Sequence, residues 1–185
     1  MSGTTIEDKV MQLLVAEAGV HLVPATEGEL SDFEKAHGLN LPDEFKAWFR
    51  KCNGACVSPG SLYPLFSTGK GVSVDWYLKQ YPHWRRRGWL PIADDGCGDI
   101  YVMMTQVVTP PQVTHLVCFM DQSDFEQPRF AVASGLWLFL YFFLKSGALM
   151  KDCGNASWPF EKQAVLAEDP ALAQCQDFPL PWELE

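Results

Sequence analysis

The stretch from Glu29 to Gly54, ELSDFEKAHGLNLPDEFKAWFRKCNG, constrains the fold more than any other part of the chain. Thr26 stands three residues before Glu29. At that spacing a threonine and a glutamate satisfy each other's free backbone N–H at a helix start. Leu30 and Phe33 then share a face, and Gly38 can take the left-handed conformation that ends a helix. Leu41-Pro42 restarts the chain, since proline at a first helical position gives up no hydrogen bond. Asp43 and Glu44 follow, where the helix dipole favours negative charge. Phe45, Trp48, Phe49 and Cys52 recur at i, i+3, i+4 and i+7, which is one buried stripe. Two short amphipathic helices are predicted, Glu29–Lys35 and Pro42–Lys51, with Asn53-Gly54 stopping the second.

A second block, WLPIADDGCGDIYV from Trp89 to Val102, reads as a strand, an acidic glycine turn and a returning strand. Gly96 and Gly98 allow positive φ, and Asp94, Asp95 and Asp99 can cap the turn. Pro91 suits an edge position or the start of pairing. Further strands are expected at Ile100–Thr105, Val113–Met120 and Arg129–Ala133, with Leu62–Phe66 a short one and Thr109–Gln112 a turn. Helical spacing marks a first helix after a Thr4/Glu7 capping pair, running to Gly19. It marks others at Ser73–Tyr81, at Trp137–Leu144 capped by Ser134, and at Phe160–Glu168, with Asp169-Pro170 opening one more. The expectation is an α+β fold: an antiparallel sheet of four or more strands flanked by N-terminal and C-terminal helices, all in one domain over 1–185.

The order of these motifs resembles the SUKH superfamily, which holds many bacterial toxin-immunity proteins and a fungal cell-wall synthesis regulator. The matching residues are Glu29, Glu34 and Gly38, then Leu41-Pro42 with Phe45 and Phe49, then Asn53-Gly54. Leu90-Pro91-Ile92-Ala93 follows with Asp95-Gly96 and Gly98-Asp99, and then Val117–Asp121 with the helix after Ala133. One departure stands out: the family often has two glycines after the asparagine, and here Gly54 precedes Ala55. The resemblance covers about residues 25–144 and leaves 148–185 as a C-terminal extension. It implies a non-enzymatic binding protein, namely an immunity protein that neutralises a cognate toxin by direct binding. The alternative is an intracellular regulatory scaffold for a host protein.

The formal charge of −9 makes nucleic acid a poor partner and favours a basic protein, such as a basic toxin domain. The longest apolar run, Gly135 to Leu144, is too short to span a bilayer, so no membrane is expected. The opening MSGTTIEDKV reads as no secretory signal, so the six cysteines are expected to be reduced thiols in a cytoplasmic protein. No catalytic residue, cofactor or metal site is assigned. Asp94, Asp95 and Asp99 lack calcium-loop spacing, with Thr105 where the closing glutamate would fall. Cys52, Cys56, His115 and Cys118 fit core packing better than zinc. Ser73 sits in GVSVD, without the second glycine of a nucleophile elbow, and His21, His37, His83 and His115 are scattered. The partner-binding candidates are the acidic turn Asp94, Asp95 and Asp99, with Tyr101, and the run Trp84, Arg85, Arg86 and Arg87. Trp84 has two readings: a binding hot spot among arginines, or a ring folded into the core under a solvated loop.

Overall fold

The computed structural model describes residues 3–17, 22–67, 69, 71–106, 113, 115–150 and 158–184. Three helices come first: α1 (Ile6–Ala16), α2 (Glu27–His37) and α3 (Asp43–Phe49). A strand pair, β1 (Ala55–Cys56) and β2 (Ser61–Leu62), leads to α4 (Val74–Gln80) and α5 (Pro82–Arg87). Four longer strands follow: β3 (Trp89–Asp94), β4 (Ile100–Met104), β5 (Val117–Met120) and β6 (Phe130–Ala133). Then come α6 (Leu136–Met150), α7 (Lys162–Glu168) and two 3-10 turns, Pro170–Gln174 and Pro181–Glu183. The strands form one six-stranded antiparallel meander in chain order. The fold is α+β, as the sequence predicts.

Helix α2 shows how local the instructions are. Thr26 Oγ1 accepts from Glu29 N at 3.2 Å, Thr26 N donates to Glu29 Oε2 at 2.7 Å, and Gly38 closes the helix at φ 61°. Replacing Thr26 by alanine removes one side of this box and should lower stability by about 1 kcal/mol. A urea midpoint equal to the parent's would show that the box adds nothing. Helix α1 uses the same device one residue later than expected, with Thr5 and Asp8 rather than Thr4 and Glu7. Pro42 sits at the N-cap of α3 rather than inside it.

Strands β4, β5 and β6 are buried at every position, so the sheet is covered on both faces and its apolar runs do not alternate with polar residues. Tyr101, Phe119 and Phe130 are cross-strand neighbours on one face. Tyr101 lies 4.9 Å from Phe139 and 5.6 Å from Phe143 of α6. Met104, three residues on, points to the opposite face with its partner Trp89, which meets Trp84 of α5. Pro91 belongs to the middle of the sheet, yet β3 pairs with β2 only from Ala93 onward, so the missing N–H faces no partner strand there.

Several expectations shift. Ser61–Leu62 pairs with an unanticipated Ala55–Cys56, in place of a strand over Leu62–Phe66. The strand expected from Val113 begins at Val117. The Thr109–Gln112 turn and the helix end at Gly19 lie outside the described residues. Leu138, expected in the core with Phe142, is half-buried, because α6 turns Leu136, Phe139, Leu140 and Phe143 inward instead. Ser134 does not cap α6: its hydroxyl donates to Asp169, and the N–H of Leu136 goes to Glu44 Oε2 of α3 at 3.2 Å. The C-terminal segment docks on the body, with Trp158, Val165, Leu172 and Leu180 in the main core. Pro179 O accepts the N–H of Ala131 at 2.9 Å, on the outer edge of β6.

Candidate protein-binding site

The β3–β4 turn owes its shape to its own side chains. Asp94 Oδ1 accepts the N–H of Gly96 at 2.9 Å. Asp95 Oδ1 accepts those of Cys97 at 2.8 Å and Asp99 at 3.1 Å. Gly96 at φ 77° and Gly98 at φ 110° complete a path that residues with a Cβ rarely take. Two other loops wedge the turn. A Cβ on Gly96 would stand 2.7 Å from Pro59 O, and one on Gly60 would strike the backbone of Asp94, so only glycines let these loops approach. On the other side Asp99 Oδ1 accepts the N–H of Gln122 at 2.8 Å, and Gln122 Nε2 donates to Cys97 O at 3.2 Å.

The result is a braced, negatively charged end of the sheet. Among the described residues, none of Asp94, Asp95 and Asp99 forms an ion pair with a lysine or arginine. Burial raises the Asp99 carboxyl above the usual carboxylate range, and the charges of Asp95 and Asp121 add to the rise. Hydrogen bonds from Ser123 lower Asp121, which also meets Arg129 at 2.9 Å. Asp94 stands beside a buried hydroxyl pair, Tyr63 and Tyr77 at 3.1 Å, whose ionisation burial suppresses. The carboxylates are half-buried rather than fully exposed, because each turns an oxygen inward to a backbone N–H. Gly96, Cys97 and Gly98 form the exposed tip.

The aromatic residues expected beside this end are not on the surface. Tyr101 is 1% exposed, since the strand turns it onto α6. Trp84 is 0% exposed, because the run His83–Arg87 is not a loop but helix α5, with Pro82 in its first turn. Its ring stacks on Tyr81 at 4.9 Å and Tyr77 at 5.8 Å, and its Nε1 donates to Phe125 O at 2.9 Å. Arg87 covers Trp89 at 4.8 Å and donates to Glu126 O at 2.7 Å. Arg85 and Arg86 are exposed. An exposed ring that the sequence reading missed is Trp76, 41% accessible on α4. The spacing of Val74, Tyr77 and Leu78 on the inner face already places position 76 outside.

The other chemical groups stay apart. His37 Nε2 meets Asp75 Oδ1 at 3.0 Å, His115 Nδ1 meets Glu44 Oε1 at 2.6 Å, and His83 lies 3.4 Å from Glu126. His21 lies outside the described residues. Burial lifts the Cys52 and Cys175 thiols to about 11, and raises Cys118 as well. Ser73 caps α4 by accepting from Trp76 N at 3.1 Å. Among the described residues no group of three or more His, Cys, Asp or Glu is placed to hold a metal ion, and no helix is long and apolar enough to cross a membrane.

Compared with known protein families, the chain matches the SMI1 / KNR4 family (SUKH-1) over residues 24–141. No curated protein matches it.

Proposed function

The chain belongs to the SMI1 / KNR4 family (SUKH-1), and on that premise we propose that it is a non-enzymatic binding protein whose partner is a basic toxin domain that it holds inactive. The family match is the observation that carries this reading, because the superfamily it falls in holds toxin-immunity proteins. The braced acidic turn supports it. A rigid charged end on a chain of net charge −9 attracts a basic cleft, and opposes approach to a nucleic acid. Asp94, Asp95 and Asp99 supply the charge, and the exposed backbone of Gly96 to Gly98 supplies the contact.

The test is a pull-down from the native cell with the tagged chain, followed by an activity assay of whatever is recovered. Recovery of a basic toxin domain, silenced by an equimolar amount of this chain, is the expected result. Recovery of a host regulatory protein with no toxin would replace this reading with the regulatory scaffold.

A further inference from the structure

The chain has five arginines, and three of them are engaged. Arg50 grips Glu27 with bonds of 2.6 and 2.9 Å, Arg129 meets Asp121, and Arg87 is held by Glu126 and Trp89. Arg85 and Arg86, in the last turn of α5, form no ion pair among the described residues although the protein is strongly acidic. Both line a cleft of about 410 Å³ between the C-terminal ends of α2 and α5. Asn40, Gln106 and the nearly buried Leu90 also line it. Among the described residues no aspartate or glutamate lines it, and Asp75 stands behind the wall, bonded to His37.

The position of the two arginines has an ordinary explanation, since cations at a helix C-terminus complement its dipole. That explanation covers the charges. It does not cover a concave, acid-free pocket under them on a chain of net charge −9. Gly88 bears on the shape: at φ 66° it ends α5, and a Cβ there would strike Thr105 and Gln106. The close seat of Gln106 on the helix end therefore depends on glycine. His37 completes a wall, tied to Asp75, and its burial lowers the imidazole pKa against the pull of that carboxylate.

We propose that this cleft is a binding site for a small anionic ligand bearing a carboxylate or phosphate group, gripped by Arg85 and Arg86. Guanidinium forks match the paired oxygens of either group. Asn40 and Gln106 carry amide donors and acceptors for a neutral polar part. The volume falls within the range of small-molecule pockets, roughly 300–1,000 Å³. The negative field of the whole molecule resists a polyanionic strand but leaves a singly or doubly charged molecule only weakly opposed. This site goes beyond the toxin-binding reading and does not depend on it.

The experiment is an amide NMR titration of the full chain with inorganic phosphate, with succinate and with a short acidic peptide, chloride holding the ionic strength constant. Saturable shifts at Gly38, Gly88 and Gln106 with phosphate or succinate are expected, and which of the two binds tighter identifies the group. Arg85→Gln and Arg86→Gln should each weaken that binding by about tenfold. Both side chains are exposed, so the variants should fold, which the same spectra report. Arg129→Gln should bind as the parent does. Equal weakening by Arg129→Gln would reduce the effect to the general field and overturn the site. So would failure of both small anions to saturate, including the case in which only the peptide binds.

Discussion

Replacing Asp169 by alanine is expected to remove about 3–5 kcal/mol of stability. Asp169 is 0% exposed and accepts three bonds: from Ser134 N at 2.8 Å, from Ser134 Oγ, and from Leu172 N at 3.3 Å. Two of these donors belong to the turn between β6 and α6, and the third to the 3-10 turn after α7. One carboxylate thus ties the C-terminal extension to the sheet. Alanine leaves the Ser134 groups buried with no partner, and each such group costs about 1–3 kcal/mol. Asp169→Asn removes the buried charge and keeps an oxygen for Ser134 Oγ and Leu172 N, but sets an amide NH2 against Ser134 N, so it should cost roughly half as much. Its pH behaviour differs too. Burial raises the Asp169 carboxyl above its ordinary 3.8, against the bonds from Ser134 and Leu172. The folded chain therefore holds this proton to higher pH than the unfolded chain. The contribution is fully present below the unfolded value and is lost as pH rises through the folded one, and Asp169→Asn abolishes that dependence. Urea unfolding of both variants at acidic and neutral pH measures it. If Asp169→Ala unfolds at the parent's midpoint, the carboxylate is not what fastens the extension.

The features legible in the sequence are those with short reach. Thr26 and Glu29 cap a helix three residues apart, and Asp94 and Asp95 cap a turn within four, so residue type and spacing suffice. The order of α1 to α4 and of the four longer strands follows for the same reason, whereas α5, read as a loop, and β1 did not show. What stayed hidden depends on partners far along the chain. Trp84 is buried because Tyr77, Tyr81 and Phe125 surround it, whereas its sequence neighbours are three arginines. Tyr101 sits in a strand whose two faces are both covered, and only the placement of α6 reveals that. Glu44 fits a helix start by its dipole, yet it also holds His115 and the first turn of α6. The bond between Asp169 and Ser134 spans 35 positions and has no local signature. The cleft under Arg85 and Arg86 is of this kind too, since α2, α5, β3 and the end of β4 all contribute to it.

Neutralising the acidic turn by the triple replacement of Asp94, Asp95 and Asp99 with asparagine should slow association with a basic partner by about tenfold at low salt. It should also flatten the salt dependence of the on-rate, because fewer charges remain to be screened. The fold should tolerate the change. The backbone N–H bonds that these three side chains accept all fall on an Oδ1 that asparagine retains: Gly96 N on Asp94, Cys97 N and Asp99 N on Asp95, and Gln122 N on Asp99. Two terms even favour the variant. Asp99 is partly desolvated beside Asp95 and Asp121, and both the burial and the like charge raise its carboxyl, so removing its charge relieves strain that the parent carries near neutral pH. The melting temperature should therefore stay level or rise slightly while the association rate falls, a split that general damage to the fold would not produce. Stopped-flow association with the recovered partner, at low and high salt, measures one half, and a thermal melt the other. A neutralised variant that associates as fast as the parent at low salt would make these aspartates turn-formers alone, and would move the binding face elsewhere, with exposed Trp76 the next residue to replace.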